Sequence, residues 1–234
     1  MLKVLDKRFL MYGIPRSGST SMVSILQHHP DIRKMDYEPF IDWRLSKCDV
    51  SLNEKLNELR FLDGFKIHIN QIGPKFIKEA LKKRKKVIFM DRRNIFKCAL
   101  SLDRAYQSGI WQRTNIETKH DFPVNFGNLK KTIKNLYEQK SQALKLLKKE
   151  KIDYYHFFYE DFYLVSEEEK IRQLSEIFEF LGHRPVINQR MLKVLRTNRL
   201  NDERTYLQIP GIYKIEKKLG SNENGWLFNG GLQL

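Results

Sequence analysis

The stretch "RFLMYGIPRSGSTSMVSILQHH", residues Arg8 to His29, constrains this chain more than any other. An apolar, β-prone run ends at Gly13. A turn with Pro15 and Gly18 follows, and a hydroxyl-rich segment then opens a helical pattern. A glycine turn between a strand and a helix aims free backbone N–H groups at one point. The helix N-terminus adds partial positive charge, so the turn suits an anion of phosphate type. Gly13 and Gly18 hold the two glycine places of the pattern G-x-x-x-x-G-K-[ST], and Thr20 holds its final hydroxyl. Ser19, however, stands where the lysine belongs, and the nearest cation is Arg16, inside the turn. Ser17, Ser19, Thr20 and Ser21 offer hydroxyl donors. A lysine placed after the second glycine would reach the β- and γ-phosphates of a nucleoside triphosphate; without it, triphosphate chemistry is disfavoured.

The same order of elements recurs along the chain. "GFKIHI" (Gly64–Ile69) leads into "KFIKEALKK", and "KKVIFMD" (Lys85–Asp91) leads into "NIFKCALSLDRAYQSG". "IDYYHFFYE" (Ile152–Glu160) precedes "SEEEKIRQLSEIFEFLG", with an N-cap at Ser166, acids in the first turn and a terminal Gly182. Strands alternating with helices imply parallel βαβ units. The expected fold is therefore α/β, a three-layer arrangement with a central, mainly parallel sheet flanked by helices. The run Asn128–Lys149 carries Leu129, Ile133, Leu136, Leu144 and Leu147 at helical spacing and is expected to pack across the sheet with its lysines outside. With no internal repeat and no long linker, residues 1–234 are expected to form a single domain. Residues 201–234, rich in Asn and Gly, are read as irregular cover or tail.

The chain has 43 Lys and Arg against 28 Asp and Glu, a net charge of +15. That balance favours an anionic partner without choosing among nucleic acid, lipid and a phosphate-rich small molecule. Basic tracts such as "LKKRKK" (Leu81–Lys86) read as solvated helix faces. No RRM, KH, zinc-finger or helix-turn-helix signature appears, so no specific nucleic-acid partner is expected. Two cysteines, Cys48 and Cys98, stand without metal-ligand spacing. This implies a reducing compartment and no metal. No apolar run approaches the ~18 residues a membrane span needs, and the expected setting is cytoplasmic.

"GIPRSGST" resembles the 5′-phosphosulfate-binding loop of sulfotransferases that use 3′-phosphoadenosine 5′-phosphosulfate (PAPS). That loop has the form P-[KR]-[ST]-G-[ST]-[ST], with its cation where Arg16 stands. "DRRNIFKCALSLDRA" (Asp91–Ala105) is similar to the family's 3′-phosphate segment, an arginine at a strand end and a serine eight residues later, here Arg93 and Ser101. Lys97 lies one turn before Ser101 on the same face, and Ile95 replaces the family's proline. The run "ALSLDRAYQSGIW" is similar to that of bacterial trehalose-type members and puts Trp111 near the acceptor. "FYEDF" (Phe158–Phe162) resembles the family's Y-E-D segment, with Tyr159 beside the adenine. The Arg-Lys-Gly loop of cytosolic members has no match, and "NRLNDERTY" and "GSNENGW" are the candidates to replace it.

The resemblance implies transfer of a sulfonate from PAPS to a hydroxyl of a small-molecule or carbohydrate acceptor, with PAP (adenosine 3′,5′-bisphosphate) as product and no metal. Arg16 and the amides from Ser17 to Thr20, with Ser21, would hold the phosphosulfate. Two residues compete for the role of base. Lys66 and His68 in "FKIHIN" look like the K-x-H of cytosolic members, whose histidine is the base. Glu38 in "DYEPF" is similar to the catalytic Glu of the trehalose type, and the middle motif tilts the choice toward it; His68 stays in play, and both could serve, one as base and one orienting the acceptor. The competing readings are a kinase or NTPase, with Asp91 holding magnesium, and a non-catalytic module that binds anions or nucleic acid.

Overall fold

The computed structural model describes residues 7–40, 52–84, 86–111, 122–196 and 203–228. Cys48, residues 112–121 and part of the tail therefore lie outside the described residues. The chain divides into two compact units. One takes the described residues within 1–91 and 139–197, the other those within 92–138 and 198–234.

The first unit is built on five parallel strands: β1 (Phe9–Gly13), β2 (Met35–Asp36), β3 (Gly64–His68), β4 (Lys86–Asp91) and β5 (Asp153–Phe158). Their order is β2-β3-β1-β4-β5. β1 lies centrally, with Met11 level with Lys66 on one side and Ile88 on the other. Alternation along the strands makes two apolar faces. Phe9, Met11, Ile88, Met90 and Phe157 pack against α1 (Ser19–Leu26) and, further along the chain, the helices Glu167–Leu181 and Gln189–Leu195. Leu10, Tyr12, Val87 and Phe89 pack on the other face, against α2 (Leu52–Glu58), α3 (Pro74–Lys82) and the second half of the helix Phe126–Lys149. Both faces of a parallel sheet are thus covered, which explains the unbroken apolar run "VIFM" in β4. The three-layer expectation is met.

The second unit begins after β4. Its α4 (Ile95–Ser108) is followed by the first half of α5 (Phe126–Lys149). The helices α6 (Tyr159–Tyr163), α7 (Glu167–Leu181) and α8 (Gln189–Leu195) belong to the first unit, and α9 (Glu203–Leu207) and α10 (Ile212–Leu219) return to the second. Leu129, Ile133 and Leu136 on α5 are buried in the second unit, and Ala143 and Leu147 in the first. Ser166 caps α7 as its sequence indicates, accepting the Glu169 N–H at 3.3 Å, and Gly182 closes that helix in the left-handed conformation. Among the described residues, no helix is long and apolar enough to cross a membrane.

Candidate active site

β1 ends at Gly13, where β4 passes too close for a side chain. A Cβ there would lie 2.0 Å from the Met90 carbonyl oxygen. The Ile14 N–H donates to that same oxygen at 3.1 Å, turning the chain away from the sheet. Arg16 takes φ 61, an unusual conformation for a non-glycine residue and one that clusters at functional sites. Gly18 follows at φ 78. Tyr163 of α6 clamps this turn, its hydroxyl donating to the Gly18 carbonyl at 2.8 Å and its ring filling the space a Cβ on Gly18 would need. Burial raises the Tyr163 pKa, which keeps that hydroxyl a donor.

α1 starts at Ser19, and its first closing bond runs from the Met22 N–H to the Gly18 carbonyl. The N–H groups of Ser19, Thr20 and Ser21 have no acceptor within the helix. Ser17 behaves differently from its neighbours: its buried hydroxyl donates to the Ile14 carbonyl at 2.8 Å, so its proton holds the turn together. The turn thus fits an anion through backbone donors, helix polarity and the cation on Arg16.

A second positive group reaches the turn from the neighbouring strand. Lys66 on β3 sits level with Met11 and points to the α1 side, where its Nζ donates to Thr20 Oγ1 at 3.2 Å. The same Nζ pairs with Glu38 Oε1 at 2.5 Å and lies 5.9 Å from the Tyr37 ring centre. His68, two residues on and on the same face, places Nε2 3.3 Å from that carboxylate oxygen. Gln71 ties the group together. Its Nε2 donates to Glu38 Oε2, and its Oε1 accepts the His68 backbone N–H at 2.8 Å.

Electrostatics differ at each member of this cluster. Burial alone would raise the Glu38 pKa, but the hydrogen bond from His68, the charge His68 carries once protonated in acid, and the charge of Lys66 outweigh it and bring the value down to about 2. Burial lowers the pKa of His68; the bond to Glu38 opposes that, while Lys66 and Arg16 add to it. Burial also lowers Lys66, against the pull of Glu38. At neutral pH the centre therefore holds a carboxylate beside a neutral imidazole. With Nε2–H facing the anion, the lone pair sits on Nδ1, which has no hydrogen-bond partner among the described residues.

The structure thus brings Glu38, Lys66, His68 and Thr20 together, although the sequence offers Glu38 and His68 as rivals. Tyr159 opens α6, its ring 4.9 Å from that of Tyr163. Arg93 and Ser101 belong to the other unit. Arg93 is exposed just ahead of α4, and Ser101 is buried within it. Asn94 caps α4 by accepting the Lys97 N–H at 2.8 Å, and its amide donates to the Trp226 carbonyl at 2.7 Å. The Phe96 N–H donates to the Asn224 carbonyl at 2.9 Å. "GSNENGW" is thereby latched onto the start of α4 beside Arg93. "NRLNDERTY" lies partly outside the described residues. Sequence reasoning missed Gln71 and Tyr163. For Gln71 the signal was weak, a lone amide three residues after His68. For Tyr163 there was none beyond its place directly after "FYEDF".

No family model matches the chain, and no curated protein matches it in sequence. Among solved structures it is similar to mouse sulfotransferase SULT7A1, a structure complexed with PAP, with a TM-score of 0.50 and 17% identity. The match covers 82% of this chain and 63% of the mouse chain, so this chain spans less than two thirds of that relative's length. Likeness at this identity establishes architecture: a parallel sheet flanked by helices, in the manner of the sulfotransferases.

Proposed function

We propose that this protein is a PAPS-dependent sulfotransferase acting on a hydroxyl of a small-molecule or carbohydrate acceptor, and that residues 1–234 act as one functional domain in a cytoplasmic setting. The observation that carries the proposal is the cluster of Glu38, Lys66, His68 and Thr20, which joins an acid–base pair to an anion-binding turn through a single lysine. The bound donor supplies the sulfonate and a phosphate leaving group. Arg16, the first-turn amides of α1 and Lys66 hold negative charge at the turn and stabilise what grows there as the bond to the leaving oxygen breaks. Arg93 and Ser101 are assigned the 3′-phosphate, a guanidinium fork being well matched to it. Tyr159 is assigned the adenine.

His68 is assigned as the base that takes the acceptor's proton, with Glu38 holding its Nε2 side and stabilising the imidazolium as it forms. This departs from the preference for Glu38 drawn from sequence. A carboxylate brought down to about 2 is a poor proton acceptor at neutral pH, whereas a neutral imidazole is ready for the task. The kinase reading needs Asp91 free for magnesium. Asp91 is fully buried, with Lys140 Nζ at 2.9 Å and His156 Nε2 at 2.8 Å from one of its oxygens, which favours the sulfotransferase reading.

The deciding experiment is calorimetry with adenosine 3′,5′-bisphosphate against ADP. The wild type should bind the bisphosphate at least tenfold more tightly, and Arg93→Ala should erase most of that margin. Equal affinity of the wild type for the two nucleotides ends the reading. Turnover, once an acceptor is in hand, should proceed without added magnesium.

A further inference from the structure

The first unit contains a second cluster of chemically competent side chains, at the far end of α1 from the anion turn. His183, directly after the C-cap of α7, is 6% exposed, and neither of its ring nitrogens has a hydrogen-bond partner among the described residues. A buried imidazole left with both nitrogens unsatisfied is costly and calls for an explanation, an ion being one of the standard ones. His29 is equally buried, its ring centre 5.3 Å from that of His183. Asp31 completes the group: one ligand atom from each of the three lies within 4.8 Å of the others.

We propose that His29, Asp31 and His183 form a binding site for a divalent transition metal of the zinc type. Two imidazoles and a carboxylate are a donor set that zinc favours and magnesium does not. The hydrogen bonding of His29 supports the assignment. Its Nδ1 accepts the Asp31 backbone N–H at 3.1 Å, so the ring proton resides on Nε2 and is donated to the Arg184 carbonyl at 2.8 Å. A ligating histidine is normally oriented by this kind of N–H···O=C bond from its other nitrogen. Coordination exchanges the weaker Asp31 bond for a metal bond and keeps the orienting one. Arg184 lies 3.7 Å from Asp31, but its side chain is largely exposed and free to swing away. The site serves structure rather than transfer chemistry. α1 has eight residues and is about 12 Å long, so it separates this cluster from the turn. A metal here pins the end of α1 to the end of α7.

The test uses the full chain, stripped with chelator and dialysed, then titrated with ZnCl2 by calorimetry and with CoCl2 by visible absorption. Wild type should bind one zinc, gain thermal stability with it, and show cobalt d–d bands. MgCl2 should do neither. His183→Ala should weaken zinc binding at least tenfold and abolish the bands. Asp31→Asn, nearly isosteric, decides the matter if His183→Ala fails to fold, and should also weaken binding at least tenfold. His156→Ala, at the separate Asp91 pair, should bind zinc as the wild type does. Zinc affinity equal in wild type and Asp31→Asn, or a wild type without cobalt bands, overturns the proposal and leaves His183 as a packing residue.

Discussion

Replacing Glu38 by Gln removes the anion that Lys66 and His68 share while keeping the shape of the side chain. The Glu38 pKa is brought from the usual 4.5 to about 2, so ionised Glu38 contributes about 3 kcal/mol to folding while His68 is protonated, and less at neutral pH, where the imidazole is neutral. This is a ceiling. The two ends of the ion pair respond differently: burial penalises the Lys66 ammonium, so part of what Glu38 gains is spent on holding that charge inside. Because the folded pKa lies below the unfolded one, this stability is fully present above pH 4.5 and is lost as pH falls toward about 2. Urea denaturation of wild type and Glu38→Gln should therefore show a gap of about 1–3 kcal/mol at pH 7. By pH 3 the gap should have shrunk markedly. A gap of the same size at both pH values would mean that the loss comes from packing and that the carboxylate's charge is not what holds the cluster. No gap at pH 7 would mean that the pair contributes nothing.

Gly18→Ala should destabilise by about 2–4 kcal/mol, adding left-handed backbone strain to a Cβ 2.2 Å from the Tyr163 ring, and should abolish binding of adenosine 3′,5′-bisphosphate; denaturation and calorimetry check the two effects. His68→Ala should cut turnover by ~10²–10⁴-fold while bisphosphate affinity stays within a factor of about two. The pH profile of kcat/KM should stay flat through neutrality and fall only below the usual histidine value of 6.5, since a lowered pKa means the imidazole protonates later as pH drops; a fall centred above 6.5 would contradict it. Asn94→Ala loses the α4 cap, worth about 1 kcal/mol, and the bond to Trp226, so limited proteolysis should release the end of the chain sooner.

Much of this architecture could be read from spacing alone. The four longer strands and their helices announce themselves through apolar runs bounded by turn residues, and the cap at Ser166 and the stop at Gly182 are local signals. β2 is the exception. It has only two half-buried residues and no alternation to detect. It exists because contacts distant in sequence hold it: Asp63 Oδ2 accepts the Arg33 and Lys34 N–H groups at 2.7 and 3.0 Å, and Gln27 donates to the Met35 carbonyl at 3.1 Å. Nothing in "RKMDYE" by itself predicts that placement.

That short strand decides how the candidate base is understood. Pairing Asp36 with Phe65 carries the chain forward alongside β3 and delivers Glu38 to the face that Lys66 and His68 occupy. Read as motifs, the glutamate and the histidine resemble two sulfotransferase types and are two candidates for the base, either of which leaves the other to orient the acceptor. With the histidine ending β3 and the glutamate two residues beyond β2, they share a hydrogen bond and their titrations are coupled, so the proton has one home made of two side chains. The lysine between them then has a reason to be buried. It neutralises the resting carboxylate and reaches Thr20, so any anion that fills the turn draws on the same ammonium that holds Glu38 down. Filling the turn should loosen that hold and raise the basicity of the pair when the donor is present. A pH profile for kcat displaced upward from that for kcat/KM is the signature of such coupling, and coincident profiles would show that turn and base act independently.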